Sequence, residues 1–120
     1  MNLKRYSEEA WRTCPFLDEN LMHMVLGLVT ESGELADAMK RNLAYGQDLD
    51  VVNLKEEVGD LMWYIINLCR FLNTDLEDIL DMNIAKLRVR YPEKFTEEAA
   101  INRDVDKERV TLEGSIEEWE

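Results

Sequence analysis

Residues 51–72 read VVNLKEEVGDLMWYIINLCRFL. Val51, Leu54, Val58, Leu61, Ile65, Leu68 and Leu72 recur there at intervals of three and four, the spacing of one face of an α-helix. Inside the stripe lies Glu57-Val58-Gly59-Asp60-Leu61, and Glu31-Ser32-Gly33-Glu34-Leu35 repeats its form: acid, any residue, glycine, acid, leucine. Acids three apart share a helical face. At about 100° per residue, Glu31 falls roughly 40° from Leu35, and Glu57 stands in the same relation to Leu61. Glu34 and Asp60 lie about 100° from those leucines, at the stripe's edge. Each of two helices therefore places one carboxylate within its apolar face and a second beside it.

The surrounding chain reads as further helices. Residues 2–13 form a short first helix. Asp18 is positioned to cap a second helix reaching about Asn42, with Leu21, Val25, Leu28, Leu35 and Met39 inward. Residues 44–48 read as a turn. After the helix over about 50–72, Asn73-Thr74-Asp75 breaks the pattern and caps a fourth helix over about 75–90, with Leu76, Leu80, Ile84 and Leu87 inward. Tyr91-Pro92 ends it, since a residue before proline disfavours helical backbone. Thr96 opens a short fifth helix near 96–103. Beyond Asp104 the charged segment has no clear period. With no convincing strand, the expected class is all-α: a four-helix core, a short fifth helix and a C-terminal tail, divided into a domain over 1–104 and a tail over 105–120.

The 120 residues suit one domain, and 46% apolar content supports a folded core. A small helical subunit gains stability by burying an apolar face against a copy of itself, so an oligomer is expected. Twenty-six acidic against 14 basic residues leave a formal charge of -12, which disfavours a nucleic acid polymer as partner. Cys14 and Cys69 are too few for a disulfide framework or zinc site, and Cys69 reads as a core thiol. His23 is the sole histidine and reads as a helix-surface or interface residue. One histidine gives little support to zinc hydrolysis, His-based nucleophilic catalysis or a ferritin-like centre built on Glu-x-x-His pairs. No apolar run approaches the roughly 20 residues of a membrane span, and a cytoplasmic protein without membrane partners is expected.

Carboxylates within an apolar face are costly unless paired. One resolution is a hard divalent cation, for which Glu31, Glu34, Glu57 and Asp60 supply oxygen ligands. The competing reading turns these acids to solvent or pairs them with Lys40, Arg41 and Lys55. Gly33 and Gly59 each cost ~1 kcal/mol in a helix interior, which predicts a close backbone approach at both. On the fourth helix Asn83, Lys86 and Arg90 fall within about 60° of one another. Beside a metal cluster, such a strip suits a polyphosphate; otherwise it is a solvated basic face. Trp11, Trp63, Tyr6, Tyr64 and Phe71 are candidate stacking residues. Tyr64, one turn past Asp60, comes first among them, against the competing role of core or dimer packing.

Glu31-x-x-Glu34, 22 intervening residues and Glu57-x-x-Asp60 together resemble the MazG-like all-α nucleoside triphosphate pyrophosphohydrolases. Supporting segments are residues 55–64 and 83–92, KEEVGDLMWY and NIAKLRVRYP. The resemblance spans roughly residues 20–104. It implies a helical bundle assembling as a homodimer or homotetramer. It also implies Mg2+-dependent cleavage of a (d)NTP to a (d)NMP and pyrophosphate, with Mn2+ able to substitute, in nucleotide-pool control or house-cleaning. Glu31, Glu34, Glu57 and Asp60 carry over as metal ligands and catalytic residues, and Asn83, Lys86 and Arg90 as nucleotide and phosphate contacts. Some members carry a further Glu immediately before the first pair. Thr30 stands there in this chain, so a base role for that Glu does not transfer. The alternative outside enzymes is an acidic helical interaction module without catalysis.

Overall fold

A computed structural model describes residues 1–15 and 20–119, with side chains described for 1–15 and 21–114. Asp18, the expected cap of the second helix, lies outside the described residues. Among the described residues the chain is all-α: α1 (Leu3–Arg12), α2 (Asn20–Tyr45), α3 (Val51–Phe71), α4 (Leu76–Arg90), α5 (Glu97–Ile101) and α6 (Val105–Trp119). They form two compact units, Met1–Thr74 and Asp75–Glu120. No helix among the described residues is long and apolar enough to cross a membrane.

Side-chain caps mark the starts of α1, α3 and α5, while Asp75, at the N-cap of α4, makes no side-chain cap hydrogen bond. Asn2 accepts the Arg5 N–H at 2.9 Å, Asp50 the Asn53 N–H at 3.1 Å and Thr96 the Ala99 N–H at 3.1 Å, each satisfying a backbone donor that the first turn leaves unpaired. The α2–α3 connection turns at Gly46, whose φ of 64° is left-handed and suits a residue without Cβ. The Asn42 side-chain amide donates to the Gln47 carbonyl at 2.8 Å and holds that turn closed.

In the first unit α3 is central, packed by α2 and by α1. The α1 contact is polar and aromatic. Trp63 Nε1 donates to the Thr13 hydroxyl at 2.9 Å, Arg70 Nε to the Ser7 hydroxyl at 3.2 Å, and the Arg70 guanidinium lies 5.1 Å from the Trp11 ring centroid. Because two helices cover α3 from different sides, its buried residues do not follow the single expected stripe. Glu57, Ile66, Asn67 and Cys69 are buried, whereas Val51, Val58 and Leu72 are exposed. Cys69 is the core thiol its apolar surroundings suggested.

The inward face of α2 also differs from expectation. Met24, Gly27 and Ala38 are buried, Leu28, Glu31 and Leu35 half-buried, and Leu21, Val25 and Met39 exposed. The first half of α2 is apolar almost all round, so periodicity there does not single out one face. Packing does so through the smallest residue. A Cβ at Gly27 would overlap the Tyr64 ring of α3. Gly33 and Gly59, where a close approach was expected, have no atom within 4 Å of an ideal Cβ among the described residues.

In the second unit α4 packs on α6. Leu76 and Leu87 are half-buried, but Leu80 and Ile84, expected inward, remain exposed because α6 covers only part of the α4 stripe. The segment after Asp104, read as a charged tail without period, is helical. Polar contacts support it beside its packing on α4. Asp104 accepts the Lys107 N–H at 3.0 Å, Asp106 and Glu108 favour the positive helix start, and Arg109 pairs with Glu113 at 2.7 Å. Glu108, only 3% exposed, accepts from Arg90 Nε at 2.7 Å and from Arg103 Nη2 at 2.8 Å.

Gly27→Ala should lower stability by about 1–3 kcal/mol through overlap with Tyr64, outweighing the helix propensity of alanine. Gly33→Ala and Gly59→Ala should each raise it by up to about 1 kcal/mol, as read by thermal unfolding. The hydrogen bonds from Arg90 and then Arg103 hold the Glu108 carboxyl down at about 2, against 4.5 ordinarily. Its stabilisation is therefore complete above the unfolded value and is lost as pH falls from 4.5 through about 2. Thermal melts across that window should show Glu108→Gln flattening the acid dependence of the wild-type chain.

Candidate metal centre

Gly27 precedes Glu31 by one helical turn, and Tyr64 follows Asp60 by one turn. Tyr64 lies over Gly27, and Glu31 lies beside Asp60 and Glu57, so α2 and α3 run antiparallel. The ring-on-glycine contact sets the helix spacing one turn away from the acids. Carboxylate oxygens of Glu31, Glu57 and Asp60 consequently all lie within 4.8 Å of one another. Glu57 is buried at 8% exposure, Glu31 is half-buried and Asp60 faces solvent, so the group has a closed side and an open side.

The cluster is electrostatically incomplete. Asn53, one turn before Glu57, donates its side-chain N–H to Glu57 Oε1 at 3.4 Å. Glu57 Oε2 is buried with no hydrogen-bond partner. Glu31 is pushed above the ordinary carboxyl range, first by burial, then by a hydrogen bond with Glu57, and then by the charges of Asp60, Glu57 and Glu34. Basic side chains do not relieve this crowding. Arg41 pairs with Asp37 at 3.3 Å, Lys40 lies 5.9 Å from the Tyr45 ring centroid, and no ion pair to these acids occurs among the described residues. Three hard oxygen donors around an unsatisfied buried oxygen fit a divalent cation such as Mg2+, which also retains waters on the exposed side.

Glu34 stands outside the 4.8 Å group, exposed on the next turn of α2, although its charge reaches Glu31. Tyr6 of α1 lies beside the site. Its hydroxyl donates to the Gly59 carbonyl at 3.5 Å, and burial followed by the Asp60 charge raises its pKa. Tyr64 is half-buried, edge-on to Trp63 with centroids 4.9 Å apart and 6.2 Å from His23, itself exposed on α2. Trp11 and Phe71 meet at 5.4 Å in the α1–α3 contact. On α4, in the second unit, Asn83 is exposed and Lys86 half-buried, while Arg90 is engaged by Glu108.

Sequence reasoning missed Gly27, Asn53 and Glu108. Gly27 carried a usable signal, because a glycine one turn before Glu31 lies on the same helical face as that acid. Asn53 was marked only by its place four residues before Glu57. Glu108 had no local signal: its partners are 18 and 5 residues away.

Comparison with known proteins places the chain in a family. Residues 19–95 match the model of the MazG nucleotide pyrophosphohydrolase domain. The chain is 35% identical over 79 residues to the Gene 37 protein of Mycobacterium phage L5, covering 60% of this chain and 67% of that protein. No solved structure matches. The family and the carboxylate cluster together support a hydrolase with a metal-binding site. With nearly two thirds of its length matched, the chain belongs to the family of MazG nucleotide pyrophosphohydrolase domains.

Proposed function

We propose that the protein is a Mg2+-dependent nucleoside triphosphate pyrophosphohydrolase that cleaves a (d)NTP to a (d)NMP and pyrophosphate, in nucleotide-pool control or house-cleaning. The observation that carries this reading is the convergence of Glu31, Glu57 and Asp60 within 4.8 Å around the unpartnered Glu57 Oε2, in a chain of this family. These three carboxylates would hold the cation, with Glu34 as a further ligand from the exposed turn. The bound ion would polarise phosphoryl oxygens and acidify a water. Glu31 or Glu34 would accept that water's proton. No nucleophilic side chain is required.

Substrate contacts are assigned in the same reading. Lys86 and Arg90 would offset charge on the departing pyrophosphate. Asn83 would hydrogen-bond the sugar or base, and Tyr64 would offer a ring face for stacking. Assembly as a homodimer or homotetramer fits the exposed apolar strip Met22, Val25, Leu26 and Val29 on α2, where Val29 is 66% exposed. A second copy of the chain is the natural cover for a strip next to a site on the same helix.

Incubation with each ribo- and deoxynucleoside triphosphate and Mg2+ should release pyrophosphate from at least one, and a chelator should abolish the release. No release from any of them rejects the assignment. Glu57→Gln and Asp60→Asn should each lower kcat/KM by more than ~100-fold while the far-UV circular dichroism is retained. Glu57→Gln has a second, opposite effect. It removes an unpaired buried charge, so in chelator it should melt several degrees higher than wild type, about 1 kcal/mol. Mg2+ should raise the melting temperature of the wild type and not of this variant.

A further inference from the structure

Arg90 is held by Glu108 along its Nε edge and has a further side-chain hydrogen bond with Tyr91. Its Nε donates to Glu108 Oε1 at 2.7 Å and its Nη2 to Oε2 at 3.4 Å, the side-on half of a guanidinium fork. The Tyr91 ring centroid lies 5.7 Å from its Cζ. A guanidinium has five N–H donors, so donors at the Nη end remain for a further acceptor beside Glu108 and Tyr91. The side chain is 16% exposed, which leaves a restricted approach to it.

The charge balance around Glu108 is unusual for a simple helix tie. One arginine would neutralise the carboxylate and dock α6 on α4. Here Arg103 also donates to Oε2 at 2.8 Å, so two cations share one anion and a net positive charge remains. Among the described residues neither arginine has a second acidic partner. Arg103 thus restores the charge that Glu108 would otherwise cancel, while Glu108 keeps Arg90 in one orientation. Both residues lie beyond the segment matched by the family model, which ends at residue 95.

We propose that Glu108, supported by Arg103, is a positioning residue that fixes the Arg90 guanidinium by its Nε edge and presents its Nη end to the pyrophosphate portion of a nucleotide. This rests on the reading of Arg90 as a phosphate contact. Its sign separates it from two simpler roles. A carboxylate competing with phosphate for Arg90 would weaken anion binding, and its removal would tighten it. A tie that only docks α6 would alter stability and leave anion binding unchanged. A positioning residue makes its own removal weaken binding, although a negative charge has been taken away from beside the anion.

The test is calorimetric binding of inorganic pyrophosphate with Mg2+ to the full chain, which requires no turnover. Arg90→Ala should weaken binding about tenfold, the size expected for a lost charge-assisted contact. Glu108→Gln should weaken it comparably, and the double variant should be no worse than Arg90→Ala alone. Arg90→Lys keeps the charge but loses the fork, and should also bind about tenfold more weakly. It gives an answer that does not require the Glu108 variant to fold. Tighter or unchanged binding in Glu108→Gln, additive losses in the double variant, wild-type affinity in Arg90→Lys, or no binding by the wild type would each overturn the proposal. Pyrophosphate release by the wild type would leave the hydrolase reading standing in any of those cases. Conversely, a chain that binds pyrophosphate through this device yet releases none would count against the hydrolase reading alone.

Discussion

The site depends on how closely α2 can approach α3 beside its acids. Carboxylates on neighbouring helices repel, and charge opposes the approach of Glu31 to Glu57 and Asp60. The approach is set one turn away, where the Tyr64 ring occupies the space that a side chain at Gly27 would need. A ring packed on bare backbone gains dispersion and buried area at short helix separation. That local gain opposes the crowding of charge next to it. The antiparallel pairing then repeats the geometry: one turn beyond the contact on α2 and one turn before it on α3 lie the carboxylates. A single small residue therefore lets Glu31 of one acidic pair meet Glu57 and Asp60 of the other.

Much of this was legible in the residues, for identifiable reasons. Helix limits were marked by local chemistry, such as the Thr96 cap and Pro92, and the structure places helix boundaries close to them. Glu31, Glu57 and Asp60 could be singled out because a carboxylate inside an apolar stripe is expensive, and that cost does not depend on knowing the partner. The buried faces were less legible. Along the first half of α2 apolar residues surround the helix, and α3 is covered from two sides, so periodicity names apolar positions without saying which are inside. Glycine gave a misleading cue at Gly33 and Gly59, where the helical cost is real but an added Cβ would meet no atom within 4 Å among the described residues. Propensity reports that a glycine is unfavourable; only packing reports why it is there.

The segment after Asp104 illustrates the opposite limit. Its apolar pattern is weak, and periodicity gave no helix. The order arises from polar contacts that pattern reading does not weigh: a cap at Asp104, acids in the first turn and a buried carboxylate meeting arginines from α4 and from the α5–α6 connection. Such contacts are directional and involve residues separated in sequence. They are visible only after the chain has folded back on itself.

The two buried carboxylates among the described residues define contrasting uses of the same group. Glu108 is saturated: both oxygens accept from guanidinium, and its carboxyl is held down at about 2. Glu57 is deliberately short of partners: Asn53 reaches one oxygen at 3.4 Å, and the other has none. Burial is similar, so burial does not distinguish them. What distinguishes them is whether the protein supplies the countercharge. Where it does, the carboxylate organises neighbouring side chains and contributes to stability. Where it does not, the missing charge must come from outside, and the fold bears the cost until it arrives. That contrast makes the α2–α3 cluster a candidate place for a cation, and makes the Glu108 cluster a support in which two arginines share one carboxylate.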